Sequence, residues 1–425
     1  MNCRLRAATT PSRGGLWALL LLAGGASVCA GAVADLPLQR PCAADAFVPE
    51  VRALGVPQIR YIDPEPLAGD DRLVFQTGEG RLWIGELDPV SAQFRSGHGL
   101  DRLLDQGLVP VSASNNGPEW GISKQGTSVY YVKSDPADVL QLWRVRLGAD
   151  GFRRRQLTSG LEDARGIRPS VTERENSVLL FFGVGTGDDF RQVWAPEFAA
   201  DAPQTVRAYY PASGGGRFLV DRATGRTKLL YSIVVSTDPE LRTQLALKDL
   251  DSGRVDIITD DGGQKFEPRQ FNAVEYGDEL LIASLIDRDR VAIYRDLNDG
   301  SGYWTRIEEL TLPPGQSQRF LYSIKPVTVP GAPDGIGGTS YFTLVANAEN
   351  NLRTSDGAMW VFGLGDGAER LCRRVDQGAV TGDALTRFEP EPFPGSEELF
   401  VIYNVLTGAE PQLSVANTGL TIGER

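Results

Sequence analysis

Short apolar runs separated by polar turns recur along the whole chain. In one unit, Gly117 leads into a short strand that ends at the turn Lys124-Gln125-Gly126. Ser128 to Lys133 (SVYYVK) follows as a run of β-branched and aromatic residues. Leu140 to Leu147 (LQLWRVRL) then alternates apolar and polar positions, the period of a strand with one buried face. A dense apolar run followed by a lighter one returns as RLVFQT (72–77) with RLWIGEL (81–87) and as SVLLFFGVG (177–185) with RQVWAPEF (191–198). It returns again as ELLIASLI (279–286) with RVAIYRDL (290–297) and as SYFTLVANA (340–348) with AMWVFGLG (358–365). The last pair is ELFVIYNVL (398–406) with PQLSVANTG (411–419).

A residue followed by proline marks most of these units: Glu65-Pro66, Gly117-Pro118, Arg168-Pro169, Glu267-Pro268, Lys325-Pro326 and Glu391-Pro392. The prolines lie 52, 51, 99, 58 and 66 residues apart, so the gap of 99 spans two units. The unit without its proline is GRFLV (216–220), KLLYSIVV (228–235) and LALKD (245–249). Proline is expected at the first residue of a strand rather than inside a sheet.

Sheets this small cannot bury their apolar faces alone. Stacked around a ring, each packs its middle strands between its neighbours and turns its outer strand to solvent. The expected fold class is therefore all-β, a β-propeller of seven blades, or of six if the first and last units share one sheet. With 48 glycines and 26 prolines, long helices are not expected. Residues 88–116, which hold His98, read as an insertion between units one and two, and 349–357 as a long connection inside unit six. Such insertions often shape a binding rim.

The start of the chain reads differently. Arg4, Arg6 and Arg13 precede the apolar Leu16 to Leu22, and Ala32-Val33-Ala34 offers a small-x-small cleavage pattern. Residues 1–34 are expected to be a signal peptide, 35–58 an extended lead-in with one helical turn near Val48 to Leu54, and 59–425 a single domain. Lipid anchoring at Cys29 is the alternative, against which stands the bulky Val28 just before it. No later stretch supplies the ~18 apolar residues that a membrane span requires. Removal of the leader leaves 40 basic and 55 acidic residues, a net charge of −15. That balance argues against nucleic acid or an anionic membrane surface as partner. No membrane insertion is expected without a spanning stretch, and a polar ligand, a glycan or an envelope protein is left as partner. The localisation expected is periplasmic or extracellular. Cys42 and Cys372 remain after cleavage, and in an oxidising compartment a bond between them would clasp the two ends of a ring. Two separate buried thiols are the other reading.

GPEWGISKQGTSVYYVKS, followed by LWRVRL and QLTSG (156–160), resembles the TolB-like, WD40-related (PD40-type) propeller repeat. Lys124-Gln125-Gly126 stands where that repeat carries Pro-Asp-Gly and keeps its glycine. Arg174-Glu175-Asn176 and Tyr276-Gly277-Asp278 take the same place in units three and five. The resemblance extends over residues 60 to 418 and implies the fold more than a function, because such propellers serve as scaffolds, as gates beside peptidases and as enzymes. TolB itself carries a small α/β domain that residues 35–57 are too short to supply. The similar oligogalacturonate lyases hold their metal with several histidines, and His98 is the one histidine here. No G-x-S-x-G elbow occurs, which removes a hydrolase of the prolyl-oligopeptidase kind.

Charged residues gather beside the marking prolines: Glu65, Glu119, Arg168, Glu267, Arg269, Lys325 and Glu391. If each lies on an innermost strand, they ring the mouth of the channel and can hold a polar ligand by charged hydrogen bonds. They can equally pair with one another as a structural collar. A carbohydrate-active enzyme, hydrolase or lyase, is the alternative, with Glu119 facing Glu267 or Glu391 as the carboxylate pairs. Trp120, next to Glu119, is placed to stack on a sugar. Trp83, Trp143, Trp194 and Trp360 recur at blade spacing and read as core; Trp304 has no clear place. No cofactor is expected. A structural calcium is considered at Gly187-Asp188-Asp189, Asp260-Asp261-Gly262 and Asp287-Arg288-Asp289, none of which matches the twelve-residue calcium loop.

Overall fold

The computed structural model describes residues 38–422 apart from 41, 45–46, 110–116, 149–150, 163–169, 175–176, 186–188, 207–215, 222–224, 239, 274–275, 278, 328–340, 351–356, 365–369, 377–385 and 408–409. Three short strands come first: β1 (Leu38–Arg40), β2 (Cys42–Ala44) and β3 (Glu50–Leu54). Blade I is β4 (Tyr61–Pro66), β5 (Arg72–Thr77), β6 (Arg81–Glu86) and β7 (Arg102–Gln106). Blade II is β8 (Glu119–Ser123), β9 (Gly126–Ser134), β10 (Leu140–Gly148) and β11 (Gly151–Gln156). Blade III is β12 (Ser170–Arg174), β13 (Ser177–Val184), β14 (Arg191–Pro196) and β15 (Gln204–Thr205). Blade IV is β16 (Arg217–Asp221), β17 (Arg226–Ser236), β18 (Arg242–Asp249) and β19 (Val255–Ile257). Blade V is β20 (Lys265–Phe271), β21 (Leu281–Ile286), β22 (Arg290–Asp296) and β23 (Trp304–Thr311). Blade VI is β24 (Phe320–Val327), β25 (Tyr341–Asn347), β26 (Ala358–Gly363) and β27 (Arg370–Arg374). Blade VII is β28 (Thr386–Pro394), β29 (Glu398–Thr407) and β30 (Glu410–Thr421), completed on its outer edge by β3.

The molecule is thus a seven-bladed β-propeller, and the first and last units do not share a sheet. The segment expected to hold a helical turn is instead β3, antiparallel to β30 with Glu50 opposite Asn417. Its turn-to-strand change has a tertiary cause: β30 has an open edge, and the lead-in fills it. The two strands before it do the same for their neighbours, β1 adding in parallel to β23 and β2 in parallel to β27. The lead-in therefore runs along the outside of three successive blades. Cys42 on β2 and Cys372 on β27 form a disulfide, with Cα atoms 5.4 Å apart. Residues 88–116, read as an insertion, contain β7 and so supply the outer strand of blade I.

Seven apolar clusters fill the seams between adjacent blades, one per seam. Alternation explains why the second strands are apolar without interruption. On β9, Val129 and Tyr131 enter the seam with blade I while Tyr130 and Val132 enter the seam with blade III. On β17, Leu229 and Tyr231 face blade III and Leu230 faces blade V. Both faces are covered, so both sets must be apolar. Trp83, Trp143, Trp194 and Trp360 pack in these seams, as their spacing indicates, and Trp304 joins the seam between blades IV and V.

Candidate ligand site on the channel wall

The innermost strands β4, β8, β12, β16, β20, β24 and β28 stand around the axis. Each of β4, β20, β24 and β28 breaks register at one place, between Ile62 and Glu65, Phe266 and Arg269, Tyr322 and Lys325, and Phe388 and Glu391. The first residue of the bulge pair adopts a left-handed backbone at Asp63 (φ 52°), Glu267 (φ 48°), Ser323 (φ 52°) and Glu389 (φ 53°). A non-glycine residue rarely accepts that conformation, at a cost of about 1 kcal/mol or more each. The residue two positions on is charged in all four: Glu65, Arg269, Lys325 and Glu391. The bulge re-aims the strand, and with it these side chains.

The prolines are accounted for by the same geometry. Pro268, Pro326 and Pro392 lie inside their strands and Pro66 ends β4, not at the first residue as expected. An innermost strand has no neighbour on its axial edge, so a missing N–H at a bulge there costs no ladder bond. Pro118 does immediately precede β8.

Lys325 stands at the centre of the charged group. Its Nζ lies 3.6 Å from Glu65 Oε1 on blade I and 3.7 Å from Glu389 Oε2 on blade VII, and it also pairs with Glu391 Oε1. A lysine of blade VI that touches blade I must pass in front of blade VII, which puts the cage at the axis. Its members are largely shielded, with 19% of the Lys325 side chain and 16% of the Glu65 side chain exposed. Asp63 backs the cage. Gly117 N–H donates to Asp63 Oδ2 at 2.5 Å, and Asp63 N–H donates to Asn404 Oδ1 at 3.3 Å. A Cβ at residue 117 would run into the Asp63 carboxyl, which is why glycine stands there.

Burial pushes Asp63 up to about 7, with Glu389 and Glu119 adding to the rise and Lys325 and the Gly117 N–H opposing it. Burial also holds Glu65 well above the usual glutamate range against the pull of Lys325, and Glu119, Asp63 and Glu389 reinforce it. Carboxyl groups from blades VII, I and II thus outnumber the ammonium that faces them. The result is a place where a carboxylic acid can be neutral near pH 7.

The remaining candidates divide between this cage and a second cluster. Glu267 pairs with Arg288 Nη1 at 3.3 Å, and the Arg288 guanidinium lies 4.3 Å from the ring centres of both Phe266 and Tyr322. Arg269 Nε donates to the Ile324 carbonyl at 2.8 Å, tying blade V to blade VI. Trp120 packs in the seam between blades I and II and donates its indole N–H to the Glu65 carbonyl at 2.7 Å. Arg168 lies outside the described residues. Asp63 and Glu389 are absent from the sequence-derived set. Their signal is the repeated tetrapeptide Asp63-Pro64-Glu65-Pro66 and Glu389-Pro390-Glu391-Pro392, two units related by structure.

Among the turns considered for calcium, Asp188 lies outside the described residues. Asp261 is engaged by Lys265 at 3.1 Å, Arg306 at 3.2 Å and the Tyr294 hydroxyl at 3.0 Å. Asp287 Oδ1 accepts the Gln264 N–H at 2.7 Å, and Asp289 pairs with Arg290 at 2.7 Å. Among the described residues no group of three or more His, Cys, Asp or Glu side chains is placed to hold a metal ion. His98 is engaged locally, its Nδ1 accepting the Leu100 N–H at 3.0 Å. An open polar cleft of about 420 Å³ on blade I is lined by Gly69, Asp70, Asp71, Arg72, Glu86 and Arg95. Two of its three acids are paired, Asp70 with Arg72 at 2.6 Å and Asp71 with Arg95 at 3.1 Å.

No protein-family model matches this sequence, and no curated protein matches it. Among solved structures, the periplasmic gluconolactonase of Pseudomonas aeruginosa is 12% identical with a TM-score of 0.47, covering 86% of this chain and 98% of that one. TolB from Acinetobacter baumannii is 15% identical with a TM-score of 0.38, over 75% of this chain and 64% of that one. A Trypanosoma rangeli sialidase mutant displaying trans-sialidase activity is 10% identical with a TM-score of 0.42, over 87% of this chain; the chain spans 60% of that protein's length.

Proposed function

We propose that this chain is an exported propeller of the TolB-like kind that binds a polar ligand non-covalently at its channel wall. The ligand carries at least one cationic group. The observation behind this reading is the Lys325 cage, where Glu65, Glu389 and Glu391 converge on one ammonium from two other blades. Carboxyl groups in excess of cations, held partly out of water, favour an incoming amine, which adds charge-assisted hydrogen bonds where Lys325 alone cannot satisfy every oxygen. The TolB-like assignment draws on the repeat signature of residues 117–160. Export draws on the basic and apolar leader and on the Cys42–Cys372 disulfide, since such bonds persist in oxidising compartments.

The test is calorimetric titration of residues 35–425 with spermidine, oligomeric glucosamine, neutral oligoglucose and oligogalacturonate. Binding of the cationic compounds alone, weakened at least tenfold in Glu389→Gln, supports the reading. Equal binding of the acidic oligomer, or no binding of either cation, overturns it.

A second reading, polysaccharide cleavage by two carboxyl groups, has one observation in its favour. Asp63, raised to about 7, lies close enough to Glu119 and Glu389 for both to raise it further, and acids with separated titrations are the pattern of general acid and base. New reducing ends or unsaturated products from any polymer, lost in Glu119→Gln and insensitive to EDTA, would favour it. Their absence would remove it.

A further inference from the structure

The polar groups of Asp63 join three consecutive blades. Its N–H is held by Asn404 of blade VII, its own strand is the first of blade I, and its carboxyl holds the Gly117 N–H at the entrance to blade II. Asn404 adds a second stitch, donating Nδ2–H to the Tyr61 carbonyl at 2.8 Å. The junction of blades VII and I is where the ring closes, because the first complete sheet of the chain meets the last one there. The Lys325 cage spans the same junction from the axial side, through Glu65 on blade I and Glu389 and Glu391 on blade VII.

We propose that Asp63 and the Lys325 cage form a pH-operated latch across the closing junction of the propeller, tight when the Asp63 carboxyl is protonated and loosened when it ionises.

The charge arrangement sets the direction. Glu65 lies on the same strand as Asp63; Glu119 is on β8, and Glu389 and Glu391 are on β28. Lys325 on β24 is the cation brought against Glu65, Glu389 and Glu391, while Arg72 on the neighbouring β5 is turned away to Asp70 at 2.6 Å. The group that β29 offers to Asp63 is the neutral amide of Asn404. Losing the Asp63 proton therefore adds a negative charge to an acid-rich place, and Lys325 is already shared among three carboxyls. Like charges in a shielded site repel more strongly than in water. The least costly relief is a small separation of β4 from β28 and β8, which admits water to the acids. The titration of Asp63 near 7 places this change within the physiological range. The left-handed bulge residues Asp63 and Glu389 store strain at this junction, which lowers the cost of local opening. As a control on ligand access, the latch rests on the channel-wall reading; as a conformational device it is measured with no ligand present.

The experiment is hydrogen exchange on the ligand-free chain, residues 35–425, at pH 5.5 and pH 8.5, corrected for the intrinsic pH dependence of exchange. Peptides spanning 61–66, 117–123 and 389–394 are expected to lose protection about tenfold at the higher pH. The 217–221 strand of blade IV is expected to stay unchanged. Asp63→Asn keeps the Gly117 contact without the charge and should retain the acid-form protection at pH 8.5. Glu65→Gln, as a second variant, should reduce the loss. Equal protection of the wild type at both pH values, or an undiminished pH dependence in Asp63→Asn, overturns the latch. Neither result depends on any ligand being found, so failure of the binding titrations and failure of the latch are read separately.

Discussion

Asn404 on β29 donates its side-chain N–H to the carbonyl of Tyr61 at 2.8 Å, across a sequence separation of 343 residues. Its Oδ1 accepts the neighbouring Asp63 N–H, and the Asn404 side chain is fully buried. One amide thereby satisfies two backbone groups of the first blade from within the last. Asn404→Leu removes both partners and leaves them buried, a cost of about 2–4 kcal/mol for two unsatisfied groups. Urea unfolding is expected to show a lower midpoint with an unchanged slope. A change below about 0.5 kcal/mol would mean that the stitch contributes little to closure.

Asp63 makes stability depend on pH in a definite sense. Its folded pKa of about 7 lies above the ordinary 3.8, so the native state holds this proton more tightly than the unfolded chain does. The stability it contributes is complete below about pH 4 and is lost as pH rises through about 7. Asp63→Asn is therefore expected to be more stable than the wild type at pH 8.5, by about 1–3 kcal/mol, and no more stable at pH 4. Thermal unfolding of both proteins across this range checks it. A wild-type advantage at pH 8.5 would show that Asp63 is stabilising as the anion.

The Cys42–Cys372 bond closes a sequence separation of 330 residues and fixes β2 to the edge of blade VI. Replacing both cysteines by serine is expected to lower stability by about 2–5 kcal/mol. Dithiothreitol should lower the melting temperature of the wild type to that of the double variant and leave the double variant unmoved. Equal effects of reductant on both proteins would assign the loss to something other than this bond.

Arg288 fills the space between Phe266 and Tyr322 and faces Glu267, whose side chain is 6% exposed. Arg288→Met keeps much of the volume but removes the charge, and is expected to cost about 2–4 kcal/mol, since a buried carboxylate loses its partner. The double variant Arg288→Met, Glu267→Gln should recover part of that loss. Additive losses in the cycle would show that the two residues do not act as a pair.

The blade count and the strand positions were legible because blade packing imposes a local pattern. Val129 and Tyr130 must both be apolar when β9 is covered on both faces, and every second strand carries that mark. The cysteine pair and the core tryptophans were legible for related reasons of compartment and spacing. The candidate site was legible only in part. Lys325, Glu65 and Glu391 stand out beside prolines, but their convergence does not, because it depends on residues of blades I, VI and VII meeting at an axis. Asp63 escaped notice because its importance is a matter of bulge geometry and burial.

Periodicity by itself determined an all-β ring of small sheets, because a strand's neighbours fix which of its faces must be apolar and each strand carries that requirement in its own residues. Tertiary structure alone decided three things. The lead-in 50–54 is strand because β30 offers an open edge, whatever its local preference. The prolines sit inside β20, β24 and β28 because an axial edge needs no ladder donor. Asp63 titrates near 7 because it is buried where blades I, II and VII bring acids together, and a pKa responds to neighbours in space, which the order of residues along the chain does not contain.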